Sequence, residues 1–140
     1  AQQGVAGRDE MIAALDDPDA AVRYWGATGL IILGEDAGPA EPQLTRLLKD
    51  EGPNVRVAAA HALCNIGRDD IAVPVLISDL QSDQEWVRLA AAIALDEVDE
   101  QARPAIEAMT HARDTDQNKY VARVTNRALN ELLGTDHKVR

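Results

Sequence analysis

The chain has 140 residues, 24 of them acidic and 14 basic, for a net charge of -10; this length fits one domain, and the acid excess opposes the basic face that nucleic-acid binding needs. Aromatic residues make up only 3%, with no phenylalanine, and alanine is abundant, which disfavours a β-sandwich or barrel and favours close-packed helices. The single cysteine, Cys64, allows no internal disulfide, and no apolar run approaches the roughly 18 residues of a membrane span.

The predicted elements follow one another with a regular beat. Met11, Ile12 and Leu15 form the apolar stripe of a first helix, and Asp17-Pro18 ends it. A longer helix then runs from Val22 to Gly34. Pro42 opens a helix carrying Leu44, Leu47 and Leu48, Gly52-Pro53 turns the chain, and Val55 to Gly67 repeats the longer pattern. Pro74 opens the next short helix, with Leu76, Ile77 and Leu80, because a helix start tolerates a missing N–H. Ser82 and Glu85 match a capping box ahead of the helix Val87 to Asp99. Pro104 opens a fourth short helix, and Val121 to Gly134 closes the series. The gap from Pro104 to Val121 exceeds that from Pro74 to Val87 by four residues, about one helical turn, placed around Asp114 to Gln117 as an extra turn or a longer loop.

The leading valines 22, 55, 87 and 121 are 33, 32 and 34 residues apart, and Leu30, Leu63, Leu95 and Leu129 keep step with them. Within a unit, small or apolar residues follow the valine at +4, +7, +8 and +11, the period of a helix with one buried face. Gly34 and Gly67 stand where a C-cap requires a left-handed residue. One helical hairpin cannot bury its apolar face alone, so the units must stack. The fold class is therefore all-α, an α-α superhelix of about four helical hairpins. The repeats cover about 8–38, 39–71, 72–102 and 103–134 within a single domain, 1–140, with a short tail at 135–140. The start Ala1-Gln2-Gln3 has neither an initiator Met nor a signal pattern and reads as that of a processed or excised piece.

The short period, the Val-Arg pair, the Ala-x-x-Ala-Leu run and the closing glycine resemble a HEAT repeat. The resemblance implies a structural ladder of Arg23, Arg56 and Arg88, each pairing with a carboxylate of a neighbouring turn, with Asp19, Asp50 and Asp83 as candidates. The fourth unit departs, with Ala122 in the arginine slot. The stretches around Tyr24-Trp25, Ala102-Arg103-Pro104 and Arg123 to Asn130 are also similar to the helical-repeat region after the catalytic domain of some bacterial sulfatases. That resemblance implies an accessory domain of a sulfatase-type hydrolase, periplasmic or secreted; without it, a cytoplasmic module is expected. The C/S-x-P-x-R nucleophile signature of that family is absent, since Ile66 follows Cys64-Asn65 where the proline should stand.

Chemistry-bearing clusters are also missing. His61, His111 and His137 have no other His within four residues, and His61 and His111 are each followed by Ala, whereas HEAT-type di-iron hydroxylases carry repeated His-Glu pairs. No catalytic residue, metal ligand or cofactor is expected. Counting about 100° per residue from each leading valine, the side away from the core holds Tyr24, Thr28 and Ile31, then Val57, His61 and Cys64, then Leu89, Ile93 and Asp96, then Arg123, Arg127 and Asn130. Such an apolar strip, basic at its end, reads as a contact surface for a protein: the chain's own catalytic domain, another protein or a second copy. The expected function is a non-catalytic protein-protein interaction or scaffolding module, with no nucleic-acid or membrane partner.

Overall fold

The structure, a computed structural model, describes residues 2–139; Ala1 and Arg140, the outermost residues of the expected domain, lie outside the described residues. Eight α-helices and two 3₁₀ segments alternate, with no strand among the described residues. They are α1 (Gln2–Ala14), α2 (Ala20–Leu33), a 3₁₀ segment (Gly34–Ala40), α3 (Glu41–Leu47), α4 (Pro53–Asn65), α5 (Asp69–Asp79), α6 (Glu85–Glu97), a second 3₁₀ segment (Asp99–Ala105), α7 (Ile106–Thr115) and α8 (Lys119–Leu133). The all-helical expectation holds. No helix among the described residues is long and apolar enough to cross a membrane.

The chain divides into two compact units, Ala1–Ala72 and Val73–Arg140. In the first unit, α2 packs against both α1 and α4, and α3 packs on α4. Near its end, α4 is tied to α2 by the Asn65 Nδ2, which donates to the Ile31 carbonyl at 3.2 Å. In the second unit, α8 packs against α6 and α7. Asn126 and Asn130 donate from Nδ2 to the His137 carbonyl at 2.8 Å each, which fastens the C-terminal tail to α8.

The core is built of aliphatic side chains and alanine: Leu15, Leu30, Leu44 and Leu63 in the first unit, Leu76, Leu95, Met109 and Leu129 in the second, all fully buried. All four aromatic residues, Tyr24, Trp25, Trp86 and Tyr120, are exposed. Small residues set how closely the helices approach. A Cβ on Gly26 would stand 2.7 Å from the Met11 carbonyl oxygen and 2.9 Å from the Ala14 Cβ, so α1 rests directly on α2 there.

The ends of the second helices obey one rule with one substitution. Gly34, Gly67 and Gly134 have φ of 59°, 85° and 65°, and in the third unit Asp99 takes the same slot at φ 53°. An aspartate tolerates this region because its short side chain bonds locally. Two sequence expectations about starts are corrected. Pro74 lies inside α5, which begins at Asp69, and Pro104 lies in the 3₁₀ segment before α7; only Pro42 sits at a helix start as expected. Proline fixes its own φ and lacks an N–H, which suits the 3₁₀ segment at Pro104, whereas at Pro74, the sixth residue of α5, the missing N–H removes one helical hydrogen bond. The four extra residues counted from Pro104 are neither an extra turn nor a longer loop: α7 has 10 residues against 11 in α5, and the counts differ because Pro74 lies inside its helix while Pro104 precedes its own.

Gly26 and Gly7 provide a test with opposite signs. Gly26→Ala should cost about 1–3 kcal/mol, since backbone would have to move. Gly7→Ala meets nothing within 4 Å and should gain about 0.5–1 kcal/mol from helix propensity. Urea unfolding of both variants checks this; equal effects would contradict the close α1–α2 approach.

Candidate functional site

The turns joining the two helices of each hairpin share one local design. Asp17 Oδ1 accepts from the Asp19 N–H at 2.8 Å, Asp50 Oδ2 from Gly52 at 3.0 Å, Ser82 Oγ from Gln84 at 3.1 Å, and Asp116 Oδ1 from Asn118 at 2.9 Å. The residues so held, Asp19, Gly52, Gln84 and Asn118, are the N-caps of α2, α4, α6 and α8. This side-chain turn imitates a backbone turn and fixes the entry to the next helix. The expected capping box is therefore corrected: Ser82 shapes the turn, and the N-cap is Gln84, which makes no side-chain cap bond.

Four residues after each of the first three caps stands an arginine. Arg23 Nη1 donates to the Asp17 and Pro18 carbonyls at 2.9 Å each. Arg56 Nη1 donates to Asp50 and Glu51 at 2.9 and 3.4 Å, and Arg88 Nη1 to Ser82 and Asp83 at 2.9 and 3.4 Å. Arg23 and Arg88 also reach the following hairpin turn. Arg23 donates from Nε to Asp50 Oδ1 at 2.9 Å and from Nη2 to Oδ2 at 3.2 Å. Arg88 donates from Nε to Asp116 Oδ2 at 2.7 Å and from Nη2 to Oδ1 at 3.1 Å. Asp50 and Asp116 are 6% and 5% exposed in their side chains. Asp19 serves α2 as its cap, accepting from the Ala21 N–H at 2.8 Å. Sequence reasoning missed Asp116. The signal was there: it follows Arg88 by 28 residues, as Asp50 follows Arg23 by 27.

Burial pushes the Asp50 carboxyl up, but the Arg23 guanidinium and the Gly52 N–H outweigh it and hold the group below the usual carboxylate range. Asp116 behaves alike, with burial opposed by Arg88 and the Asn118 N–H. Burial, then Asp69, pushes the Cys64 thiol up to about 12. Cys64 is 1% exposed, so it lacks the thiolate character a nucleophile needs.

The expected contact strip is only partly on the surface. Tyr24, Ile93, Arg123 and Arg127 are exposed, and Thr28, Ile31, His61 and Leu89 are half-buried. Val57 is core, as is Cys64 beside it in the register. The helical-wheel count fails at α4 because that helix buries apolar residues around most of its circumference, Val55, Val57, Ala58, Ala59 and Ala60 in succession. Arg127 is engaged by Asp96, whose Oδ2 accepts from Nε at 3.0 Å and Nη2 at 2.5 Å.

The second unit holds a cleft of about 780 Å³ between the end of α5 and α7. Ile77, Leu80 and Pro104 give it apolar walls, Glu107, His111 and Gln81 supply polar groups, and the Arg88–Asp116 pair lies at its border.

Comparison with known proteins places the chain. The HEAT repeats family matches residues 8–78 and 41–130, and the chain belongs to that family. A deoxyhypusine hydroxylase of Eremothecium gossypii is 42% identical over 100 residues, taking in 66% of this chain and 30% of that enzyme. Two solved structures share the fold. One is an engineered protein, with a TM-score of 0.63 at 22% identity over 89% of this chain and 62% of that one. The other is the complex of CpcE and CpcF of phycocyanin lyase from Nostoc sp. PCC7120, with 0.57 at 23% over 91% and 65%.

The likeness to a hydroxylase overturns the expectation of a non-catalytic interaction or scaffolding module, and of a chain that is no enzyme. The chain spans about 30% of that enzyme, so motifs absent from this stretch are no guide to the whole. The narrower sulfatase resemblance finds no support in these relatives; the Val-Arg and Ala-Leu marks within it belong to the repeat itself. The residues present do not fit a metal centre of the His-Glu kind. His61 and His111 are each followed by alanine, and no group of three or more His, Cys, Asp or Glu side chains among the described residues is placed to hold a metal ion.

The lowered carboxyls fix the sign of an acid effect. A folded-state pKa below the unfolded value gives stability that is present above about pH 4 and lost as pH falls through the folded value. The urea midpoint should therefore fall on acidification below about pH 4. Asp50→Asn should lower the melting temperature at neutral pH by about 5 °C and flatten the acid fall; an unchanged acid limb would contradict the pairing.

Proposed function

We propose that this chain is a helical-repeat part of an enzyme of the deoxyhypusine hydroxylase kind, in which its hairpins hold the substrate. The observation that carries this reading is the 42% identity over 100 residues to such an enzyme. The donor set supports the division of labour: no His and carboxylate ligands converge among the described residues, and the role that suits these hairpins is to bind and orient. The α5–α7 cleft, about 780 Å³ with apolar walls and few polar groups, has the size and lining of a ligand site. Its border is held by the Arg88–Asp116 clamp, so its shape is set by the hairpin turn.

The test uses the natural protein that contains this chain, with a peptide bearing deoxyhypusine. Mass spectrometry should show the gain of one oxygen atom on that residue. Ala108→Trp, which fills the cleft, should slow the reaction about tenfold or more while the protein stays folded. A protein that incorporates no oxygen, or a filled cleft with unchanged turnover, would overturn the reading.

A further inference from the structure

After α8 the chain folds back onto the helix it has just left. Gly134, in the left-handed conformation, turns it, and Thr135 donates its N–H to the Asn130 carbonyl at 3.1 Å. The asparagines of α8 then take hold of one residue. Asn130 Oδ1 accepts the His137 N–H at 3.0 Å, and Asn130 Nδ2 donates to the His137 carbonyl at 2.8 Å. Asn126 Nδ2 adds a second donor to that carbonyl, also at 2.8 Å.

This is the pairing of an antiparallel sheet, in which one residue gives its N–H and its C=O to a single partner. Here the carboxamide of Asn130 stands in for the strand edge. Almost everything that holds the segment is backbone. Thr135, Asp136, His137 and Lys138 are exposed, and Val139 is half-buried. Among their side chains, Thr135 Oγ1 donates to Asn130 Oδ1 at 2.7 Å. Any extended chain offers the same N–H and C=O, so the grip itself asks little of the sequence it holds.

Two further observations bear on what else could sit there. Asn126 is 8% exposed, and its Oδ1 is buried without a hydrogen-bond partner while the segment is in place. An unsatisfied buried acceptor costs free energy, and an exposed segment held by a few hydrogen bonds opens readily. The seated segment is therefore an imperfect and replaceable occupant. The His137 side chain lies within electrostatic reach of Asp114 on α7, and the protein carries a net charge of -10. A basic side chain is thus favoured at the gripped position.

We propose that Asn126 and Asn130 form a docking site for an extended, basic segment of another polypeptide, and that residues 135–139 occupy it in cis as a competitor. None of these residues lines the α5–α7 cleft, so the inference stands apart from the hydroxylase reading.

The experiment is an NMR titration of the full chain with three acetylated peptide amides. The first is Thr-Asp-His-Lys-Val, the second is the same peptide N-methylated at histidine, and the third has glutamate in place of histidine. The first should shift the side-chain NH2 signals of Asn126 and Asn130 saturably and move the His137 amide toward its random-coil position. The second lacks the N–H that Asn130 accepts and should not bind, and the third should bind several-fold more weakly. His137→Pro removes the same N–H from the competitor in cis, so the first peptide should bind that variant about tenfold more tightly. Asn130→Ala should abolish binding; the N-methylated peptide makes the same point on the unaltered protein. The proposal is overturned if the first peptide fails to saturate the His137→Pro variant, if the N-methylated or glutamate peptide binds as tightly, or if the His137 amide stays in place while the peptide binds. Shifts of the same signals on concentrating the protein alone would assign the site to a second copy and overturn it likewise.

Discussion

Arg23 and Arg88 each join three parts of the chain with one side chain. The guanidinium satisfies two carbonyls of the turn that its own helix leaves, then forks onto a carboxylate of the next hairpin turn. That carboxylate also receives the N–H that shapes its own turn. One planar, permanently charged group thus sets the angle within a hairpin and the spacing to the next, a task for which lysine lacks the geometry. The two carboxylates are nearly buried and their arginines only 18% and 21% exposed, so the pairs are screened less than a surface ion pair would be.

Packing follows from that spacing. Small residues let the helices approach closely, with an alanine-rich core and the glycine at 26 where α1 rests on α2. No aromatic ring has room there, and all four are displaced to the surface. The fourth unit lacks the arginine, having Ala122 in its place. Its turn is held instead by Asn118, whose Oδ1 accepts from Tyr120 and Val121 and whose Nδ2 donates to Glu85.

Much of this was legible in the sequence, because a repeat shows the same physical requirement several times. The valine spacing marked the second helices, and the closing glycines 34 and 67 marked two of the four positive-φ positions. Asp99, the fourth, was invisible as such, since aspartate in a turn has several uses. Pro74 misled because proline marks a constrained φ and not a unique position. Val57 and Cys64 were misassigned because a helical wheel presumes one buried face. The candidate sites were less legible still. The α5–α7 cleft depends on where α7 comes to rest beside the end of α5, and no spacing rule encodes that. The likeness to a hydroxylase is an identity over 100 residues, a signal that spacing rules within one chain do not carry.

The guanidinium clamp is the claim on which the rest depends, and a double-mutant cycle between Arg88 and Asp116 tests it most directly. Arg88→Met, Asp116→Asn and the double variant would be unfolded in urea at neutral pH and again in high salt. A clamp of this kind should show a coupling energy above about 1 kcal/mol, the upper end for exposed ion pairs, with little loss in salt. A coupling near zero, or one abolished by salt, would reduce the pair to a surface contact and contradict the account.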